Sequence, residues 1–129
     1  SKQNIKKGMT VLDSEFLIGK VAEVNYLSSR VLLLSDLNSK IPITIEPSGA
    51  QAILSGTGIK NGKIEYSKKD FVFEEGSVAY TSGAGGLFKP GIPIGKIKKT
   101  ENDEIEIEFF IDFTQSRFVK VLEYIKENN

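Results

Sequence analysis

The side chains that could carry out chemistry in this 129-residue chain are carboxylates, lysines, tyrosines and serines. The sequence contains no histidine, cysteine or tryptophan, and its 17 basic residues balance its 17 acidic ones. Without histidine and cysteine there can be no Ser-His-Asp triad, thiolate nucleophile, disulfide framework or Cys-ligated zinc site. An enzyme built from this chain would have to rely on groups such as paired carboxylates, as glycosidases do. The composition therefore favours a binding or scaffolding protein that has no catalytic activity, metal or cofactor.

The most regular chemical pattern is a run of acidic residues in the second half of the chain. It comprises Glu101, Asp103, Glu104, Glu106 and Glu108. Carboxylates at every second position of a strand form a row, whereas the ligands of a hard cation must converge on one point. The pattern therefore predicts the solvated outer face of a hairpin, with Ile105, Ile107 and Phe109 on the opposite face.

A second charged cluster is basic and consists of Lys89, Lys96, Lys98 and Lys99. Only Phe88 lies nearby as an aromatic residue, whereas single-strand-binding surfaces combine a basic groove with stacking aromatics. We therefore interpret the lysines as a charged strand edge that resists sheet-to-sheet aggregation. Residues 1–64 carry a net charge of +3 and residues 65–129 carry −3, so neither half has the concentrated positive field that attracts nucleic acid.

The most conspicuous motif is the glycine-rich segment 81–88, which reads Thr-Ser-Gly-Ala-Gly-Gly-Leu-Phe. It does not match a dinucleotide-binding fingerprint, because Phe88 stands where the third glycine is needed. The residues up to Lys96 do not form a Walker loop either, because Pro90 replaces its first glycine. The segment is therefore predicted to be a tightly turned β-loop with several residues at positive φ.

This loop is also our candidate for contact with another protein. Its glycines supply no packing side chains, so Leu87 and Phe88 must either anchor the segment or project from it. If Phe88 is buried, Phe88→Ala should cost ~3–5 kcal/mol of stability; if it is exposed, the same change should weaken association. The tight turn at Lys89-Pro90-Gly91 favours burial. The contact candidates are Thr81, Ser82, Gly83, Gly85, Gly86, Leu87, Phe88 and Pro93.

Short β-branched runs separated by turn-forming residues predict an all-β chain of roughly nine to eleven strands. Such a pattern is typical of β-sandwiches and of small barrels with little helix. The predicted strands are Ile18–Tyr26, Arg30–Ser35, Lys40–Glu46, Phe71–Phe73, Ser77–Thr81, Gly91–Lys98 and Glu104–Phe109. The final stretch, Thr114–Asn129, fits the spacing of either a helix or a strand.

The strand Lys40–Glu46 shows strict alternation, which places its three isoleucines on one face. Five apolar residues are expected in one core, namely Ile41, Ile43, Ile45, Val31 and Leu33. Because Pro42 cannot donate to a hydrogen-bond ladder, it predicts an edge strand or a bulge. Further on, Asn61-Gly62 predicts a type I′ hairpin turn between Ile59 and Ile64.

The domain organisation is read from glycine content and charge. Residues 55–58, Ser-Gly-Thr-Gly, lie close to the change of charge sign and are interpreted as the seam between two β units. Residues 1–56 then form a first subdomain, open to completion by the C-terminal strand, and residues 57–129 form a second. No apolar stretch approaches the ~20 residues of a membrane span. Since the first residue is Ser, we expect the sequence to be a piece of a longer protein.

Three blocks of the chain, in order, resemble the rod-shape-determining protein MreC family. The first runs from Ile18 to Ile43 and is similar to the family's "G-[KR]-V…S-R-V-x-L-L-T-D" stretch, and the second is Gly49–Gly56. The third and most specific block is Gly76–Ile97, which is similar to "G-D-x-V-x-T-S-G-x-G-G-x-F-P-x-G-x-P-V-G-x-V". The chain departs from the family pattern at Ser77, Ala52 and Lys89-Pro90, where the family usually has Asp, Gly and Pro-x.

The resemblance implies an all-β fold of two small antiparallel, Greek-key, barrel-like subdomains with little helix. It also implies a non-enzymatic scaffold of the bacterial cell-elongation machinery. Such a scaffold maintains rod shape by organising side-wall peptidoglycan synthesis through protein contacts and self-association. The implied location is the periplasmic, extracytoplasmic face of the inner membrane, reached through an N-terminal helix that lies outside this sequence. The implied partners are further copies, as a dimer or filament, a class B penicillin-binding transpeptidase, and MreD and MreB as components of the machinery.

Two other classes stay open on the residues alone. An oligonucleotide-binding β-barrel would show a salt-dependent shift with single-stranded nucleic acid. A carboxylate-dependent hydrolase of cell-wall glycan would release products from purified sacculi, and would need a carboxyl group of strongly shifted pKa in a cleft.

Overall fold

The chain folds into short antiparallel strands. The computed structural model describes residues 6–26, 29–58, 61–65, 74–86, 88–102, 104–111 and 120–122. Over these residues the strands are β1 (Thr10–Asp13), β2 (Phe16–Val24), β3 (Ser29–Leu33), β4 (Lys40–Glu46), β5 (Ala50–Gly56), β6 (Asn61–Glu65), β7 (Val78–Thr81), β8 (Pro93–Lys99), β9 (Ile105–Phe109) and β10 (Lys120–Leu122), with a 3₁₀ turn at Ala84–Gly86. The predicted strand Phe71–Phe73 lies outside the described residues.

The strands form one closed barrel and one open sheet. The barrel has the strand order β4-β5-β6-β9-β8-β7, and β7 closes it by pairing with β4. The four-stranded sheet has the order β10-β1-β2-β3. All pairings are antiparallel. The predicted all-β, antiparallel class with a small barrel is confirmed. In place of a second barrel, the described residues form a four-stranded sheet.

Alternation along β4 builds the barrel core as expected. Ile43 and Ile45 are fully buried and Ile41 is 2% exposed, while the residues between them face outward. Val31 and Leu33 do not join this core, contrary to the prediction. They pack instead on a second cluster formed by Val11, Ile18 and Val21 on the other face of the four-stranded sheet. Period-2 alternation identifies which side chains of a strand are buried. It does not identify which of the two hydrophobic clusters those side chains join.

The sheet and the barrel share one hydrophobic cluster. Leu12, Leu17 and Leu34 from the sheet side belong to the same core as the barrel isoleucines, and Leu17 and Leu34 are fully buried. Across the same junction, the rings of Phe16 and Phe110 lie 5.1 Å apart between their centroids. The two parts are therefore packed together through a common interior.

Pro42 is not on an edge strand, so that prediction is wrong. The strand β4 is paired with β5 on one side and with β7 on the other. Proline is tolerated because it lies at the end of the β4–β7 ladder. The paired residues begin at Ile43 and Thr81, and the Pro42 carbonyl accepts a hydrogen bond from the Ser82 amide at 3.1 Å. No ladder donor is therefore needed at this position.

The Asn61-Gly62 pair does not form the predicted hairpin turn. Both residues lie in β6, paired with Glu108 and Ile107 of β9. An added Cβ at position 62 would lie 2.3 Å from Leu54 Cδ1 and 3.0 Å from Phe109 Cζ, so a larger residue would displace these core side chains. Close packing against the barrel core, rather than a positive φ, therefore explains this glycine.

The sheets divide the chain differently from the glycine-rich seam. Residues 10–33 and 120–122 supply the four-stranded sheet, and residues 40–109 supply the barrel. Ser55 and Gly56, taken as part of the seam, are the last residues of β5 inside the barrel. The C-terminal strand β10 pairs with β1. The division of the chain into domains at residue 56 stays a prediction.

The shared core gives a first test. Leu17→Ala should lower the free energy of unfolding by about 3 kcal/mol, because it removes a fully buried side chain between sheet and barrel. Leu37, which is 68% exposed, provides the matched control, and Leu37→Ala should change stability by less than about 0.5 kcal/mol. Chemical denaturation followed by circular dichroism measures both. Equal, small effects would contradict a common core.

Candidate protein-contact site

The candidate loop joins β7 to β8 and is fixed by Thr81, the last residue of β7. The Thr81 hydroxyl donates to the Lys89 carbonyl at 2.6 Å and accepts from the Ile92 amide at 2.9 Å. The Thr81 amide donates to the Ile92 carbonyl at 3.0 Å, and its carbonyl accepts from the Gly91 amide at 2.8 Å. Thr81 is 2% exposed, so water cannot replace these four hydrogen bonds without opening the structure. One buried residue therefore ties the two ends of the loop together.

Two glycines let the chain turn tightly inside the loop. Gly83 has φ +78°, and an added Cβ would lie 2.9 Å from Pro90 Cβ, so the two arms of the loop touch here. Gly85 has φ +72° in the 3₁₀ turn. Both conformations are costly for residues with a Cβ. The predicted tight β-loop with positive-φ residues is therefore observed.

The predicted contact residues do not share one environment. Thr81 and Phe88 are buried, with Phe88 only 3% exposed and part of the barrel core. Ser82, Gly83, Gly86 and Pro93 are half-buried, Gly85 is exposed, and Leu87 lies outside the described residues. Phe88 is therefore an anchor of the loop, as the turn after it indicated. Among the described residues of the loop, the exposed ones are Ala84, Gly85, Lys89, Pro90 and Gly91.

Next to this loop, the barrel surface has a group of uncharged outward residues that is bordered by charged ones, with Glu46 and Lys96 opposite Val78 and Glu65 opposite Ile53. The outward residues of β4, β5, β7 and β8 meet in register, with Pro42 opposite Ile53, Thr44 opposite Gln51 and Tyr80, and Tyr80 opposite Pro93. We call this surface the uncharged flank; it comprises Pro42, Thr44, Gln51, Ile53, Val78, Tyr80 and Pro93, all half-buried or exposed. The loop borders it through the hydrogen bond between Ser82 and Pro42.

The barrel surface over β6, β9 and β8 is charged by contrast. We call it the charged flank; its outward residues are Asn61, Lys63, Glu65, Lys96, Lys98, Glu106 and Glu108. Lys98 Nζ lies 3.5 Å from Glu108 Oε2, and Asn61 Nδ2 donates to Glu106 Oε1 at 2.8 Å. The predicted row of glutamates opposite buried Ile107 and Phe109 is confirmed.

The lysines of the charged flank do not form a strand edge, contrary to the prediction. Lys96 and Lys98 lie on β8, which is paired with both β7 and β9. Their register partners on β9 are Glu108 and Glu106. They therefore lie beside the glutamate row, and Lys98 forms an ion pair with Glu108. Over the described residues, no group of three acidic side chains is placed to hold a metal ion.

Sequence reasoning missed Tyr80, Pro42 and Thr44 as surface candidates. The signal was present in the alternation of Lys40–Glu46, which identified Pro42 and Thr44 as outward residues. Only the closure of β7 on β4 adds Tyr80 to the same surface.

The fold and the site together define an all-β protein of the barrel-core class, with a rigid loop beside an uncharged surface. The chain belongs to the MreC family: the family model "Rod shape-determining protein MreC, barrel core" matches residues 1–123. The cell shape-determining protein MreC of Cereibacter sphaeroides is 30% identical over 122 residues, and that of Caulobacter vibrioides is 34% identical over 122 residues. Each match covers 95% of this chain but only 41% and 35%, respectively, of the relative.

Solved structures agree with the family assignment. The crystal structure of MreC from Pseudomonas aeruginosa superimposes with a TM-score of 0.84 at 28% identity, covering 95% of this chain and 83% of that one. A complex between penicillin-binding protein PBP2 and MreC from Helicobacter pylori matches with a TM-score of 0.69 at 15% identity, over 92% of this chain and 80% of that one, which shows the same fold. Within the described part of this chain, no helix has the length and apolar character needed to span a membrane.

The hydroxyl of Thr81 gives a second test. Thr81→Val keeps the side-chain shape but leaves the Lys89 carbonyl and the Ile92 amide without their partner, which should cost about 3 kcal/mol of stability. Thr44→Val is the matched control, because the Thr44 hydroxyl accepts only an exposed bond from Gln51 and should contribute less than about 0.5 kcal/mol. If both variants have the wild-type melting temperature, the Thr81 hydroxyl does not stabilise the loop.

The burial of Phe88 gives a third test. Phe88→Ala should lower the free energy of unfolding by about 3–5 kcal/mol, because it empties a core position. Tyr26 is 87% exposed, and Tyr26→Ala should leave stability within about 0.5 kcal/mol of wild type. Urea titrations of the two variants distinguish them. A Phe88→Ala variant as stable as Tyr26→Ala would show that Phe88 does not anchor the loop.

Proposed function

We propose that this chain is a non-catalytic, protein-binding scaffold of the bacterial cell-elongation machinery. It maintains rod shape by organising side-wall peptidoglycan synthesis, through contact with a class B penicillin-binding transpeptidase and with further copies of itself. MreD and MreB belong to the same machinery in this proposal. The chain acts on the periplasmic face of the inner membrane.

The observation that carries the proposal is the preformed loop beside the uncharged flank. A loop fixed by four hydrogen bonds to Thr81 loses little conformational entropy when a partner binds, which favours a contact surface. Interface cores are poor in charged residues and rich in aromatic ones, whereas interface rims are polar. The uncharged flank carries Tyr80, and the charged residues Glu46, Lys96 and Glu65 lie at its border. Both features are suited to binding a protein, and neither supplies a nucleophile with a base.

The family relatives support the choice of partners and location. The Helicobacter pylori structure is a complex of MreC with penicillin-binding protein PBP2, and another structure with the same fold is the periplasmic domain of a cell shape-determining filament MreC. These two relatives are 15% and 20% identical to this chain, so they suggest the type of partner without locating its contact.

A purified class B penicillin-binding transpeptidase from the same bacterium tests the proposal. The wild-type chain, immobilised on a sensor, should bind the transpeptidase. The Ala84→Arg variant should bind about tenfold more weakly, or about 1.4 kcal/mol, because it places a long cationic side chain on the exposed part of the loop. Asn102→Arg places the same side chain at another exposed turn and should bind like wild type.

Absence of binding by the wild-type chain would refute the transpeptidase contact. Equal binding by wild type and Ala84→Arg would place the contact away from the loop. Thermal melts of both arginine variants confirm that they are folded.

A further inference from the structure

The outward row of β4 carries opposite charges at its two ends. Lys40 lies at the start of the strand and Glu46 at its end, with Pro42 and Thr44 of the uncharged flank between them. Six residues of extended strand separate the two charges by roughly 20 Å. Both charged residues are exposed. The row therefore has an uncharged centre, with Glu46 at one end and, at the other end, Lys40, which is ion-paired with Glu65.

Such a row is complementary to itself in one orientation. When two copies meet face to face through a two-fold axis that crosses the strand, the β4 strands run antiparallel and Lys40 of each copy faces Glu46 of the other. An axis along the strand would instead bring Lys40 against Lys40 and Glu46 against Glu46. Two-fold interfaces use the same patch on both subunits, so this charge pattern selects the antiparallel arrangement.

We propose that the uncharged flank binds the same flank of a second copy of this chain, with the two β4 strands antiparallel. This inference rests on the proposed self-association and specifies its surface and orientation. The half-buried residues Tyr80, Pro42 and Ile53 supply the apolar contact area. Tyr80 is the aromatic anchor of the contact.

The basic end of the row is held in place before association. Lys40 Nζ donates to Ser55 Oγ at 3.1 Å and to Glu65 Oε2 at 2.8 Å, so the ammonium group has a fixed position over β5 and β6. Glu65 offsets part of its charge, and the pair is half-exposed and screened by salt. The charges therefore select orientation, while the uncharged flank provides most of the binding free energy.

The lack of cysteine in the chain allows a direct test. Thr44→Cys introduces one thiol near the middle of the row, and a short bis-maleimide should convert this variant into a covalent dimer. Lys63→Cys places the thiol on the charged flank and should remain monomeric under the same conditions. Equal cross-linking of the two variants, or cross-linking at position 63 alone, would overturn the proposal.

Charge reversal tests the orientation. Glu46→Lys and Lys40→Glu should each weaken self-association at least tenfold in sedimentation equilibrium, because each homodimer then brings like charges together twice. An equimolar mixture of the two variants should recover association, since both contacts are again between opposite charges. Glu104→Lys makes the same charge change at an exposed position outside the row and should associate like wild type.

The outcomes separate this inference from the proposed function. Glu46→Lys that binds the transpeptidase normally but no longer self-associates supports the antiparallel contact. Normal self-association with lost transpeptidase binding would assign the flank to the transpeptidase and overturn the inference. If Lys40→Glu fails to fold because it faces Glu65, the cross-linking and Glu46→Lys results still decide.

Discussion

Closure of the barrel through the β4–β7 ladder is the constraint on which the rest of the structure depends. Because β4 is hydrogen-bonded to both β5 and β7, each of the six barrel strands has a paired neighbour on both sides over the described residues. Closed sheets remove the edges through which β proteins aggregate. Closure also brings Tyr80 beside Thr44 and the Ser82 amide onto the Pro42 carbonyl. The uncharged flank and its neighbouring loop therefore exist only because the barrel is closed.

The same ladder ends at Thr81, where the backbone leaves the barrel and returns. The loop from residue 82 to 92 is fixed by side-chain and backbone bonds of this one threonine and by the buried ring of Phe88. Between these two anchors, Ala84 and Gly85 are exposed and present backbone with little side-chain cover. A surface of this kind is ordered by the fold itself, so a partner need not supply the free energy of ordering it. The order of this loop before binding connects its hydrogen bonds to the proposed role of the chain as a scaffold.

Alternation along single strands predicted the buried isoleucines of β4 and the glutamate row of β9, because side-chain direction in a strand is local information. Family resemblance pointed to the barrel fold and to the loop. Tertiary contacts decided the rest. Asn61-Gly62 has the composition of a turn, yet the pairing of β6 with β5 and β9 places it in a strand. The strand β5 was missed because its Ala, Ser and Gly residues have low β propensity and are buried by the barrel. Tyr80 and Thr44 meet across strands that are far apart in sequence, so the uncharged flank could not be predicted.

Hydrogen–deuterium exchange of the isolated chain tests most directly whether the loop is ordered before a partner binds. The amides of Thr81, Gly91 and Ile92 all donate within the Thr81 hydrogen-bond set. We expect them to exchange as slowly as the amides of the barrel strands, because they open only when the barrel opens. Exchange of these three amides as fast as that of an exposed turn such as Glu101-Asn102, with the barrel strands still protected, would contradict a preformed loop.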